Sequence, residues 1–166
     1  MVGMEQSGPG RQSWDRERGR DIIARWRELP GACLPILHAL QDEFGYVHPE
    51  AIPLIADTLA LSRAEVLGVI EFYHDFRQEP PGRHLLKVCR AESCQSMGCE
   101  ALVSHLRSRL GIEMDETTSD GELTLKTVYC LGNCALSPAV LLDDRPFGRV
   151  SPQRVDELLD LVRSDR

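Results

Sequence analysis

Two pairs of cysteines constrain this chain more than any other feature. Cys89 and Cys94 are spaced C-x4-C, and Cys130 and Cys134 are spaced C-x3-C. Each pair starts where a strand-like stretch ends: HLLKVC over 84–89 and LTLKTVYC over 123–130. Two adjacent strands that finish at one sheet edge bring four sulfurs together. Loop backbone at such an edge has N–H groups with no ladder partner, and these must find acceptors. The other two cysteines lack this setting. Cys99 falls three and four residues before Leu102 and Val103, on the apolar face of a helical stretch, where a free cysteine acts as a small hydrophobe. Cys33 sits at a helix start just before Pro35 and Ile36 and reads as packing.

Four thiolates suit a [2Fe–2S] cluster, which takes two per iron. Such a cluster carries a charge of about −2, moving to about −3 on reduction, and backbone N–H groups aimed at sulfur stabilise that change. Gly98, Gly132 and Asn133 lie where the backbone could approach sulfur closely. Structural zinc is the rival: Cys130 and Cys134 have zinc-like spacing, whereas C-x4-C is at the edge of that range. A thioredoxin-type redox pair needs C-x-x-C, which is absent. A Rieske site needs histidines paired with cysteines, and only His84 is near one of the four clustered cysteines in sequence. On spacing alone, iron–sulfur, zinc and unrelated buried cysteines all stay open.

The rest of the chain divides by pattern. Residues 1–15 are rich in Gly, Ser and Gln and read as disordered, with Trp14 able to dock. Residues 16–79 read as a helical domain. Ile22, Ile23, Trp26 and Leu29 recur at helical spacing, and Leu37, Leu40 and Phe44 form a second stripe closed near Gly45. His48-Pro49 opens a third helix with Ile52, Ile55, Ala56 and Leu59. Ser62 and Glu65 form a capping box for a fourth, lined by Val66, Val69, Ile70 and Tyr73. Phe72, Tyr73 and Phe76 read first as helix core and second as a docking surface. Glu79-Pro80-Pro81-Gly82 marks the boundary. From 80 to 166 the rhythm changes to strand 84–89, helix 95–110 stopped by Gly111, acidic loop 112–122, strand 123–130, strand 139–142, a short strand at 148–150, and a last helix capped by Ser151-Pro152. The expected class is α+β.

Composition excludes several functions. Apolar residues make up 42% of the chain and charged residues 27%, at a formal net charge of −7, so a nucleic-acid backbone is a poor partner. Residues 55–73 superficially resemble a helix-turn-helix reader, but the second helix carries Glu65 and Glu71 against Arg63 alone. No apolar run approaches the ~18 residues that span a bilayer. Arg11, Arg16, Arg18 and Arg20 are interleaved with Glu5, Asp15 and Glu17, which argues against a transit peptide. The expected location is cytoplasmic, a reducing compartment where clustered cysteines serve metals or catalysis more often than disulfides.

Four stretches carry a family resemblance: LPILHALQDEFGYV (34–47), GVIEFYHDF (68–76), VCRAESCQSMG (88–98) and CLGNCALSPAV (130–140). Over about residues 20–163 the chain resembles the thioredoxin-like [2Fe–2S] ferredoxins. That family includes the 24-kDa-type subunit of respiratory complex I, relatives in NAD-linked hydrogenases, and the gamma subunit of NAD-dependent formate dehydrogenase. The wording RAESCQSMG and YCLGNC is most similar to the last. The resemblance implies an N-terminal helical bundle followed by a thioredoxin-like α/β domain. It implies one [2Fe–2S] cluster on Cys89, Cys94, Cys130 and Cys134, with no catalytic residue in this chain and no formate or NAD chemistry by itself. It also implies an FMN- and NAD-binding flavoprotein subunit as partner and a larger molybdenum-containing formate dehydrogenase subunit in the same complex. It leaves room for a homodimer of the isolated subunit.

Overall fold

The computed structural model describes residues 13–164 and divides into two units between Pro81 and Gly82. The first is all helix: α1 (Arg16–Trp26), α2 (Cys33–Phe44), α3 (Ala51–Leu59) and α4 (Arg63–Phe72). Ile22 and Ile23 of α1, Ile36, Leu37, Leu40 and Phe44 of α2, Ile55 and Ala56 of α3, and Val66 and Ile70 of α4 form its core. These are the residues whose helical periodicity places them on one face. Asp15 caps α1 by accepting the Arg18 N–H at 2.8 Å. The Ser62–Glu65 capping box forms, with Ser62 Oγ accepting the Glu65 N–H and Glu65 accepting the Ser62 N–H. Gln41 is buried among the apolar side chains. Its side chain donates to the Asp75 carbonyl and accepts the Arg77 N–H at 2.7 Å, fixing the chain that leaves α4.

One expectation for this unit falls largely outside the described residues, and two others change. Of the segment expected to be disordered, 1–15, residues 1–12 lie outside the described residues. Trp14 is docked, stacking on His48 at 4.9 Å and meeting Phe44 edge-on. The third helix begins at Ala51, beyond His48-Pro49. Phe72 and Tyr73 are not core: Phe72 is 74% exposed and Tyr73 43%, and Phe76 alone of the three is buried. Val66 and Ile70 already fill the inner face of α4, and the backbone turns extended at Tyr73, so the two rings end up outside.

The second unit is a four-stranded mixed sheet with helices. Its elements are β1 (His84–Cys89), α5 (Glu92–Ser96), α6 (Cys99–Leu110), β2 (Leu123–Val128), a 3₁₀ turn (Cys134–Leu136), β3 (Val140–Leu142), β4 (Arg145–Phe147) and α7 (Pro152–Ser164). The strand order is β2-β1-β3-β4. β1 pairs parallel with β2 from His84 opposite Leu123 to Cys89 opposite Val128, and antiparallel with β3. Leu86, Val88, Leu125 and Val140 of the sheet pack with Leu102, Val103 and Leu106 of α6 and with Val155, Leu158, Leu159 and Val162 of α7. The helix expected over 95–110 is two helices. Gly98, at φ 88°, adopts the left-handed conformation that turns the chain between them. The short strand expected at 148–150 lies instead at Arg145–Phe147. It closes a hairpin through Asp143-Asp144, both at positive φ, as a two-residue turn of this hand requires. Pro146 is tolerated there because β4 is an edge strand. The architecture is α+β, as its sequence pattern leads one to expect.

Candidate metal centre

The parallel β1–β2 pair decides where the cysteines go. Both strands run the same way, so both finish at one edge, with Cys89 the last residue of β1 and Val128 opposite it. Cys130 follows two residues beyond β2 and Cys134 opens the 3₁₀ turn. Cys94 lies inside α5, on a helical turn where the sequence suggests a loop. Cys89 and Cys94 are buried, whereas Cys130 and Cys134 are exposed.

Polar hydrogens converge on these sulfurs. The Ala91 and Leu131 N–H groups donate to Cys89, the Ala139 N–H reaches Cys94, whose S–H donates to Ser137 Oγ at 3.5 Å, and the Gly132 N–H donates to Cys130 Sγ at 3.3 Å. Gly132 offers that N–H from φ 71°, a conformation glycine adopts without strain. Burial acts to raise the pKa of both inner thiols, with opposite net results. At Cys89 burial prevails over its two amides, with the neighbouring Cys94 adding to the rise. At Cys94 burial is outweighed by the Ser137 hydroxyl, the Ala139 amide and Cys89, so its pKa is lowered. The backbone amides lower the pKa of each of these two sulfurs against the effect of burial. This is the donor environment a set of anionic sulfurs requires.

The structure brings Cys89 and Cys94 into direct contact and places Cys130 and Cys134 on the loop that reaches Cys89 through Leu131. Among the described residues, no group of three or more His, Cys, Asp or Glu side chains closes around one point. Cys99 is fully buried, in one apolar cluster with Cys89, Cys94 and Ala139, so it lines this edge from beneath. Cys33 is half-buried against the helical core, and burial raises its pKa. His84 lies at the opposite end of β1 from Cys89, its Nδ1 2.6 Å from Asp143 Oδ2. Two residues escape the sequence reading: Ser93 and Ser137, whose hydroxyls meet at 2.9 Å beside Cys94. Only the Ser-Pro dipeptide at 137–138, joined here by a cis bond, hints at them.

The chain is similar to known proteins. The family model for the thioredoxin-like [2Fe–2S] ferredoxins matches residues 20–163. A subunit of the NADH-quinone oxidoreductase of Mycobacterium bovis is 38% identical over 146 residues, covering 88% of this chain and 58% of that protein. Its counterpart from the NADH-quinone oxidoreductase of Pseudomonas aeruginosa is 39% identical over 129 residues, covering 78% of each chain. A solved structure of an air-oxidised NAD+-reducing [NiFe]-hydrogenase superposes with a TM-score of 0.69 at 27% identity, over 85% of this chain and 24% of that one. This chain therefore spans little more than half the length of its mycobacterial relative and about a quarter of the hydrogenase chain. The amides aimed at sulfur fit an anionic cluster, and the family match answers the zinc alternative. On both grounds the chain belongs to the thioredoxin-like [2Fe–2S] ferredoxin family and carries one [2Fe–2S] cluster.

Proposed function

We propose that Cys89, Cys94, Cys130 and Cys134 hold the cluster and that the chain is an electron-transfer subunit working beside a flavoprotein that binds FMN and NAD. The observation that carries this is the set of backbone N–H donors facing three of these four sulfurs at one sheet edge. When bound, the cluster takes up and returns one electron at a time. The residues of this chain do the rest. Cys89 and Cys94 supply the inner, desolvated side of the site, and Cys130 and Cys134 the solvent-facing side. The Ala91, Leu131, Ala139 and Gly132 amides are fixed by backbone geometry, so they stabilise added negative charge without reorganising. Exposure of the outer pair leaves that side open to a partner, which suits transfer between proteins.

The finer assignment is to an NAD-dependent formate dehydrogenase, supported by the wording RAESCQSMG and YCLGNC around the four cysteines. The second reading, a complex I or hydrogenase subunit, is favoured by the complexes to which the matched relatives belong. Both readings share the single-electron role. Purified anaerobically, the protein should be red-brown, undergo a reversible one-electron reduction, and give a paramagnetic signal only when reduced. Turnover of formate or NADH by the isolated chain would refute the carrier role. Copurification of the tagged chain from its source separates the two assignments. Molybdenum and formate-dependent NAD reduction in the pulled-down complex support formate dehydrogenase, and quinone or hydrogen activity without molybdenum overturns it.

A further inference from the structure

We propose that Ser137, held by Ser93, is a positioning residue that raises the cluster's reduction potential through Cys94. This rests on the ligand assignment above. Ser137 is buried, at 7% exposure, so its hydroxyl must be partnered within the protein. Its Oγ lies 2.9 Å from the Cys134 carbonyl oxygen, 2.9 Å from Ser93 Oγ and 3.5 Å from Cys94 Sγ. Ser93 Oγ in turn lies 3.3 Å from the same Cys134 carbonyl. Two hydroxyls, one carbonyl and one sulfur therefore share a single network, and each hydroxyl has one proton to give.

With Cys94 as a thiol, its S–H donates to Ser137 Oγ, and Ser137 donates to the Cys134 carbonyl. A ligating sulfur has lost that proton, so lone pairs on sulfur and on Oγ would face one another. The conflict is removed by turning the Ser137 O–H toward Cys94 Sγ, while Ser93 takes over the Cys134 carbonyl. Two hydroxyl rotations suffice, and no heavy atom has to move. The result is a charge-assisted hydrogen bond to a ligand sulfur. Added negative charge strengthens it, so it favours the reduced form.

The test uses the full-length holoprotein, titrated potentiometrically and followed by electron paramagnetic resonance. Ser137→Ala is expected to disfavour reduction about tenfold, a midpoint lower by about 59 mV for one electron. Ser93→Ala should lower it in the same direction by less. Ser96→Ala, which removes a nearby hydroxyl bonded to the Ser93 carbonyl, should leave it unchanged. Electron–nuclear double resonance after exchange into D₂O should show an exchangeable coupling in the wild type that Ser137→Ala loses. An unchanged or higher potential in iron-replete Ser137→Ala overturns the proposal, as does an equal lowering in Ser96→Ala. If Ser137→Ala does not retain its cluster, Ser93→Ala decides: a lowered potential supports the proposal and an unchanged one overturns it. Retention of a wild-type cluster by Cys94→Ser strikes down the ligand assignment and this proposal with it. Loss of the cluster in Cys94→Ser, with an unmoved potential in Ser137→Ala, strikes down this proposal alone.

Discussion

Replacing Gly148 by alanine tests how firmly the loop bearing Cys134 is held. A Cβ at this position would sit 2.5 Å from Leu136 Cβ, 2.9 Å from the Leu136 carbonyl oxygen and 3.1 Å from Asn133 Nδ2. Ordinary carbon–carbon contact is about 3.5–4.0 Å, so Leu136 must retreat by roughly 1 Å. It cannot do so alone, because its carbonyl accepts the Arg149 N–H at 2.6 Å. It also ends the 3₁₀ turn that Cys134 opens, so the displacement passes to that cysteine. Overpacking of this kind costs about 1–3 kcal/mol. Denaturant unfolding of the holoprotein, read by cluster absorbance and far-ultraviolet circular dichroism, should show a loss of that size, together with less iron bound per chain. Gly68→Ala is the matched control. It lies within α4, nothing stands within 4 Å of its added Cβ, and it should be stabilising by about 0.4–1 kcal/mol. A Gly148→Ala protein with wild-type stability and full iron would refute the reasoning.

Other expectations follow from the same geometry. Serine at position 89, 94, 130 or 134 should abolish or grossly perturb the cluster, while Cys33→Ala and Cys99→Ala retain full iron; iron analysis of the six purified variants decides. A chain beginning near Pro81 contains all four proposed ligands and should fold and take up iron and sulfide. Folding without uptake would show that the helical unit is needed for loading. Ser62→Ala should destabilise the helical unit by about 1 kcal/mol. The hydrogen bonds from Ser62 lower the pKa of Glu65 in the folded state, so their stabilising effect is complete above the unfolded-state value. It is lost as pH falls through the folded-state pKa. Ser62→Ala keeps the backbone donor and loses the hydroxyl one, so its deficit against wild type should narrow on acidification without vanishing, and a gap that widens there contradicts the cap.

What is legible in the sequence is what rests on local pattern. Val66 and Ile70 recur at helical spacing, Ser62 and Glu65 sit three apart, and Cys99 falls in line with Leu102 and Val103, so their places follow from periodicity and capping. What escapes depends on backbone sign or on distant contact. Gly98 could have continued a helix, and nothing in its neighbours' pattern announces the positive φ that separates α5 from α6. Asp143-Asp144 is a weaker turn signal than Asn-Gly, which is why β4 is displaced from its expected position. Phe72 and Tyr73 look like core by composition, and only the packing of α4 shows that its inner face is already full. Ser93 and Ser137 are 44 residues apart, and no local rule connects two hydroxyls across that separation.

The parallel pairing of β1 with β2 has a consequence for biogenesis. Parallel neighbours cannot be joined by a tight turn, so all of α5, α6 and the acidic loop must be made before β2 can add to β1. Ser93 and Cys134 are 41 residues apart, and at about 5–20 residues per second the ribosome needs roughly 2–8 s to span that interval. During that time Cys89 and Cys94 are present without their proposed partners, and the long-range strand pairing that unites the four forms slowly by its topology. Iron delivered before Cys134 is made would meet half of the proposed site, so complete cluster insertion has to wait for that residue.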